Sequence, residues 1–340
     1  MAWRTIASMA STDADAAARP PILIQRWQAG QLETSTDVAD LHGLVRATGA
    51  HTWVDLTDPS PELVEAAAHA LGLHPLIAED IVERNERAKV QLVDDIIHVV
   101  AFSLERDGPD EVETHEVDFV LGHGFLLSSH QSTWDPGSAH QLKLGVGPLL
   151  EKGADHVLWA LVDSIVDGYF PVFDRLGDEI DDIQDAAVEK PVRATLEQLF
   201  RLKRELIHIR HVLAPSREVF AQLTSREFDQ IAEQNVFYFR DVYDHLIRLN
   251  DELDSFRELT AGSLEIYLST INNNLSTIMK RLTGVTVILA GIGAIAGLFG
   301  MSEAASAIEG LEGGGFYVVL GLTVIGSLAA VWVLRRIDWL

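Results

Sequence analysis

Leu282-Thr-Gly-Val-Thr-Val-Ile-Leu-Ala-Gly-Ile-Gly-Ala-Ile-Ala-Gly-Leu-Phe-Gly-Met301 is a run of 20 residues without a charged side chain. As a helix rising about 1.5 Å per residue it covers about 30 Å, the thickness of a bilayer's hydrocarbon core. A second uncharged run, Gly315 to Leu334, follows after residues 302–314, a connection long enough for a hairpin turn and too short for a domain. Lys280 and Arg281 stand just before the first run, and Arg335 and Arg336 just after the second. The connection carries Glu303, Glu309 and Glu312 and no basic residue. By the positive-inside rule this pattern puts both termini in the cytoplasm and the acidic loop outside. Phe316, Tyr317, Trp332 and Trp339 near the ends of the second run suit a membrane interface. The expectation is a multi-pass protein of a bacterial inner membrane with the lipid bilayer as its surroundings.

Working back from that run, the approach to it looks like continuous helix. All 11 prolines lie between Pro20 and Pro215, and proline is the residue that breaks helix interiors. Val242, Leu246, Leu249, Leu253 and Phe256 form a heptad seam. Tyr267, Ile271, Leu275, Ile278 and Leu282 continue the apolar series into the span. The spacing predicts one helix from about Phe228 to Met301, on the order of 110 Å long, projecting from the membrane as a stalk. Two earlier helical segments, Asp155 to Ala187 and Val192 to Leu213, could pack on that seam. Pro171 should kink or break the first, and the second should end before Pro215. Asp174, Asp178, Asp181, Asp182 and Asp185 read as a solvated face of the first segment.

Upstream the character changes. His51 to Leu56 and Val90 to Leu104 read as strands, and Val117 to Leu121 and Phe125 to His130 as a hairpin turning at Gly122-His123-Gly124. Pro61 to Leu71 reads as a helix with Ser60 as its N-cap. The fold class is therefore an α+β cytoplasmic domain, then a long stalk helix and two C-terminal transmembrane helices. The boundaries fall at 1–19 (a disordered tail rich in Ala, Ser and Asp), 20–150 (the α/β domain), 151–281 (helices and stalk), 282–301, 302–314, 315–334 and 335–340. The net charge of −25 argues against nucleic acid as a partner and is compatible with cation handling. There is no cysteine, so thiolate metal sites and disulfides are excluded.

No catalytic signature is present: neither a phosphate-cradling glycine loop, nor GxSxG, nor HExxH. The chain is expected not to be an enzyme and to require no cofactor. His208 and His211, three apart on a predicted helix, read as surface histidines. Two spans per chain cannot enclose a polar pathway, so any pore must come from an oligomer. Gly284, Gly291, Gly293, Gly297 and Gly300 crowd the first span. They suit close helix packing, as in Gly293-xxx-Gly297, and equally a pore lined by backbone. A ring of the loop glutamates Glu303, Glu309 and Glu312 would concentrate cations at its mouth.

Leu73-His-Pro-Leu76 with Glu79-Asp80, Arg84 and Lys89 resembles the cytoplasmic motif of the CorA-type divalent-cation channels, the two-span family that includes magnesium, cobalt and zinc transporters. Tyr238-Phe-Arg-Asp-Val-Tyr-Asp-His245 is similar to that family's stalk motif, and Tyr267-Leu-Ser, Met279-Lys280 and Leu282-Thr283 to its approach to the pore. Gly300-Met301-Ser302 stands where the family has Gly-Met-Asn, and Trp339-Leu340 resembles its usual terminus. The resemblance implies a homopentamer with a funnel-shaped cytoplasmic assembly, Mg2+ or a related divalent cation as substrate, and influx driven by membrane potential. It puts Ser276, Met279, Leu282, Ala290, Gly293, Gly297, Gly300, Met301 and Ser302 on the pore face, with Met279 and Leu282 as a hydrophobic constriction. It puts a regulatory cation, between neighbouring subunits, on Glu79, Asp80 and Asp241. Serine at 302 is shorter than the family's asparagine, so a ring of it would grip a hydrated ion less closely. A zinc-type proton-coupled or poorly selective transporter, and a non-conducting scaffold of the same architecture, are the alternatives.

Overall fold

The computed structural model describes residues 19–41, 49–85, 87–106, 112–225, 228–300 and 315–336. They belong to two compact units, one drawn from Met1–Asp182 with Gln198–Ala261, the other from Ile183–Glu197 with Gly262–Leu340.

The first unit is built on a seven-stranded sheet of β1 (Ile22–Gln28), β2 (Gln31–Ser35), β3 (Ala50–Thr57), β4 (Lys89–Val93), β5 (Ile96–Glu105), β6 (Glu113–Gly122) and β7 (Phe125–His130). The order is β2-β1-β3-β7-β6-β5-β4, with β3 and β7 parallel and every other neighbouring pair antiparallel. The β6–β7 hairpin turns at His123-Gly124, where Gly124 takes a φ of +82° that few other residues adopt. Expected as one strand, Val90 to Leu104 is two. Asp94 and Asp95 both take positive φ, 48° and 67°, the conformation of a type I′ turn, and this splits the run into the β4–β5 hairpin. The β1–β2 hairpin, turning at Ala29-Gly30, was not anticipated; its polar, half-buried strands carry a weak alternation.

The central strands are buried along almost their whole length because helices cover both faces of the sheet. On one face lie α1 (Pro61–Leu71) and α2 (Pro75–Glu83), whose Val64, Ala67, Leu71, Ile77 and Ile81 form a core with Ile24, Val54, Leu56, Val120 and Leu127. Ser60 caps α1 as expected, its side chain accepting from the Leu63 N–H, and Gly72 in the left-handed region ends it. Against the other face pack α3 (Gly147–Lys152) and α4 (Ala154–Asp167).

The predicted break at Pro171 falls three residues earlier, at Gly168, and Pro171 sits in the first turn of α5 (Tyr169–Glu189), where its missing N–H has no helical partner to lose. The acidic residues Asp174, Asp178, Asp181, Asp182 and Asp185 are all exposed, as a solvated face requires. Contrary to expectation, α6 (Arg193–Ser225) runs straight through Pro215. Leu213 before it and Val219, Phe220 and Leu223 after it are all buried. Packing on both sides therefore outweighs the lost backbone hydrogen bond, and the Ser216 hydroxyl donates back to the Val212 carbonyl at 2.8 Å.

One helix of 65 residues, α7 (Val236–Gly300), carries the heptad seam and the first span without interruption. It starts eight residues later than the spacing suggested. The buried Asp155 carboxylate accepts from the Ala232 N–H at 2.9 Å and the Asn235 side chain at 2.8 Å, which holds that stretch in a tighter turn. Val242, Leu246, Leu249, Leu253 and Phe256 are buried, and Phe256 stacks on Phe173 at 5.8 Å between ring centres. In the second unit Ile183, Ala187, Ser263 and Tyr267 are buried, whereas Leu275, Ile278, Met279 and Leu282 are open. By length and composition α7 is able to cross a membrane; its most apolar window has a mean hydropathy of 1.6 and is 6% buried. The second uncharged run forms α8 (Gly315–Arg336), with the Arg336 guanidinium 5.2 Å above the Trp332 ring. Met301, Ser302, Glu303, Glu309 and Glu312 lie outside the described residues.

Candidate cation sites

Ser276, Met279, Leu282, Ala290, Gly293, Gly297 and Gly300 all lie on α7. At 100° per residue their directions fall within an arc of about 120°, one side of the helix. Met279 and Leu282 are each 58% exposed, and nothing lies within 4 Å of a Cβ built on Gly291, Gly293 or Gly297. Within one chain the stripe from Ser276 to Gly297 is thus an uncovered face, with small residues following two bulky apolar ones. Such a face offers backbone carbonyls and narrow clearance, the raw material of an ion path once several copies surround an axis.

The residues named for a regulatory cation come from two elements. Glu79 and Asp80 occupy the last turn of α2, which begins at Pro75 and ends where Arg84 takes a φ of +62°. The next residue, Asn85, is clamped to Glu116 of β6 through its backbone N–H (2.7 and 2.8 Å) and its side chain (2.8 Å). Glu79 is exposed. Asp80 turns toward the sheet, where Lys89 Nζ of β4 donates to its Oδ2 at 2.5 Å and His98 Nδ1 of β5 lies 3.8 Å away. His98 is fully buried and its Nε2 meets Asp118 Oδ1 at 2.8 Å. Burial, and the neighbouring Asp118 for Glu116, push the Glu116 and Asp118 carboxyls above the usual range.

Asp241 is exposed on α7, and among the described residues no hydrogen bond or ion pair joins it to Glu79 or Asp80. It faces a different group. Asp163 and Asp167, one turn apart on α4, and His245, one turn after Asp241, bring a ligand atom each to within 4.8 Å of one another. His245 Nδ1 lies 3.9 Å from Asp167. Burial first, then repulsion from Asp167 and Asp241, raise the Asp163 carboxyl to about 6, against the pull of His245 and the hydrogen bond from Gln141. A carboxyl so crowded by like charge gains from a cation among the four groups, and two carboxylates plus a third nearby suit a hard divalent ion. The sequence-based expectation named Asp241 but neither Asp163 nor Asp167. The signal was available in two i, i+4 pairs, Asp163/Asp167 and Asp241/His245, on helices expected to pack together. His208 and His211 are exposed, as surface histidines.

Comparison with known proteins identifies the family of the chain as a whole. A family model described as a CorA-like Mg2+ transporter protein matches residues 48–336. The cobalt/magnesium transport protein CorA of Thermotoga maritima is 31% identical over 262 residues, covering 76% of this chain and 74% of that one. The zinc transport protein ZntB of Yersinia pseudotuberculosis is 24% identical over 300 residues, covering 85% and 88%. Among solved structures, the complete CorA magnesium transporter from Methanocaldococcus jannaschii superposes with a TM-score of 0.77 at 21% identity, covering 94% of this chain and 98% of that one.

Proposed function

The chain belongs to the CorA-like Mg2+ transporter family, and from that premise we propose that it is a membrane channel for divalent cations, Mg2+ or a related ion, assembled as a homopentamer around α7. The observation that carries the reading is the uncovered arc of α7, on which Ser276, Met279, Leu282, Ala290, Gly293 and Gly297 are all exposed and share one side of a continuous helix. Five copies of that arc would enclose an axis lined by glycine backbone, with Met279 and Leu282 forming the apolar constriction that gates by dewetting. Gly300, Met301 and Ser302 would form the outer mouth, and Glu303, Glu309 and Glu312 would gather cations in front of it. Both termini would face the cytoplasm of a bacterial inner membrane, in keeping with Lys280, Arg281, Arg335 and Arg336.

A doubly charged ion crossing 100 mV gains about 4.6 kcal/mol, twice the single-charge figure, so the gradient alone drives influx. Gating would come from intracellular cations bound by Glu79, Asp80 and Asp241 between neighbouring subunits, favouring the closed state for as long as they are bound. The Asp163–Asp167–His245 group lies close enough to Asp241 to feel its charge, and these added carboxylates support reading Asp241 as part of a cation site.

The test is uptake of Mg2+, Co2+ and Zn2+ into proteoliposomes holding the full-length protein, with and without a pH gradient. Potential-driven Mg2+ or Co2+ uptake is the expected result. Zinc uptake that follows the proton gradient would replace the channel reading by a proton-coupled one. No uptake by the native chain, together with uptake by Ser302→Asn, would identify a scaffold whose mouth has lost its grip on the hydrated ion.

A further inference from the structure

His98 presents an unusual combination. It is fully buried, its Nε2 is engaged by Asp118 at 2.8 Å, and its Nδ1 has no hydrogen-bond partner among the described residues. That vacant nitrogen lies 3.8 Å from Asp80 Oδ2, too far for a hydrogen bond. A neutral imidazole that donates from one nitrogen to a carboxylate offers the other as a lone pair, the arrangement in which proteins present histidine to a metal. Metal–nitrogen and metal–oxygen bonds of about 2.1 Å set two ligand atoms about 3.0 to 3.4 Å apart in octahedral or tetrahedral geometry, so a shift of a few tenths of an ångström would seat one ion on both.

We propose that His98 Nδ1 and Asp80 Oδ2 form a binding site for a nitrogen-accepting divalent cation of the cobalt, nickel and zinc class, with Asp118 fixing the imidazole tautomer and Lys89 occupying the carboxylate in the ion's absence. The ammonium of Lys89 sits on the same oxygen at 2.5 Å and, with a side chain 24% exposed, has room to withdraw as the ion enters. Asp80, itself 32% exposed, gives the ion its way in, and water completes the coordination. The nearby charges are Glu116 and Arg84; the first adds to the negative field and the second partly offsets it. Magnesium prefers oxygen ligands and gains little from the imidazole, whereas cobalt, nickel and zinc gain from it. The consequence for regulation rests on reading Asp80 as a gating carboxylate: internal Co2+ or Zn2+ would close the channel at lower concentration than Mg2+. The coordination itself does not depend on that reading.

The probe is Co2+ alone, titrated into the full-length protein in detergent and followed by its d–d absorption, with Mg2+ binding measured in parallel by calorimetry. His98→Phe should weaken Co2+ binding at Asp80 by tenfold or more and leave Mg2+ binding unchanged. Asp118→Asn should weaken Co2+ about tenfold to a hundredfold through the loss of the orienting carboxylate. Lys89→Met, which leaves the buried histidine in place, should tighten Co2+ binding and is the variant that decides if His98→Phe does not fold. Co2+ affinity and spectrum unchanged in both His98→Phe and Lys89→Met would overturn the site. Since these readouts need no transport, a chain that fails the uptake assay but binds Co2+ through His98 would separate failure of the channel reading from failure of this one.

Discussion

At the scale of single residues, Asp163 shows what crowded charge does to a fold. Its carboxyl is raised from the ordinary 3.8 to about 6 because burial, Asp167 and Asp241 all disfavour the anion. An acid with a raised folded-state pKa holds its proton longer in the folded chain than in the unfolded one. Folding is therefore favoured at low pH, and that contribution is lost as pH rises from about 4 to about 6. Asp163→Asn should raise the melting temperature at pH 7 in the presence of a chelator and match the native protein near pH 4; equal melting temperatures at both pH values would refute the assignment. At the other end of the chain, Gly300→Leu places a branched side chain on the last turn of the proposed pore face. Divalent uptake should fall to background while the assembly stays intact on size-exclusion chromatography. Of these two positions the sequence made Gly300 readable, because glycine in an uncharged run is conspicuous. Asp163 was hidden among 51 acidic residues, and only the packing of α4 near α7 singles it out.

At the scale of elements, the legible features were those written in a local pattern. The heptad seam of α7, the Ser60 cap, the glycine turn before β7 and the two uncharged runs each follow from spacing or from one residue's conformational needs. Of the features that escaped, two were decided by tertiary contacts and another by a turn its residue types do not announce. Pro215 is carried inside α6 by buried neighbours on both sides, Asp155 delays the start of α7, and the two aspartates that split Val90 to Leu104 are common in loops of any shape. The seam itself makes a sharp prediction. Leu246 and Leu249 are fully buried, and a Leu→Ala change at such a site costs about 2–5 kcal/mol through lost transfer energy and the cavity left behind. Leu249→Ala should lower the unfolding midpoint of the full-length protein in denaturant. Leu275→Ala, on the open stretch of the same helix, should leave it within about 0.5 kcal/mol.

At the scale of the molecule, 51 acidic against 26 basic residues give a net charge of −25, a surface that draws cations toward it and repels anionic lipid and nucleic acid. Native mass spectrometry should find an assembly five times the 37.4 kDa chain mass. Clamping the liposome potential at zero should then cut initial uptake without changing that mass, and uptake indifferent to potential would exclude passive conduction. The unbroken course of α7 also bears on how such a chain can vary over generations. A 65-residue helix has a phase, and one residue lost at Gly262 would turn every later side chain by about 100°. A loss or gain of seven residues would leave only about 20° of error, and eleven about the same in the opposite sense. Between Val236 and Gly300 a substitution is therefore felt at one position, whereas a change of length is felt at every later one unless it comes in whole beats.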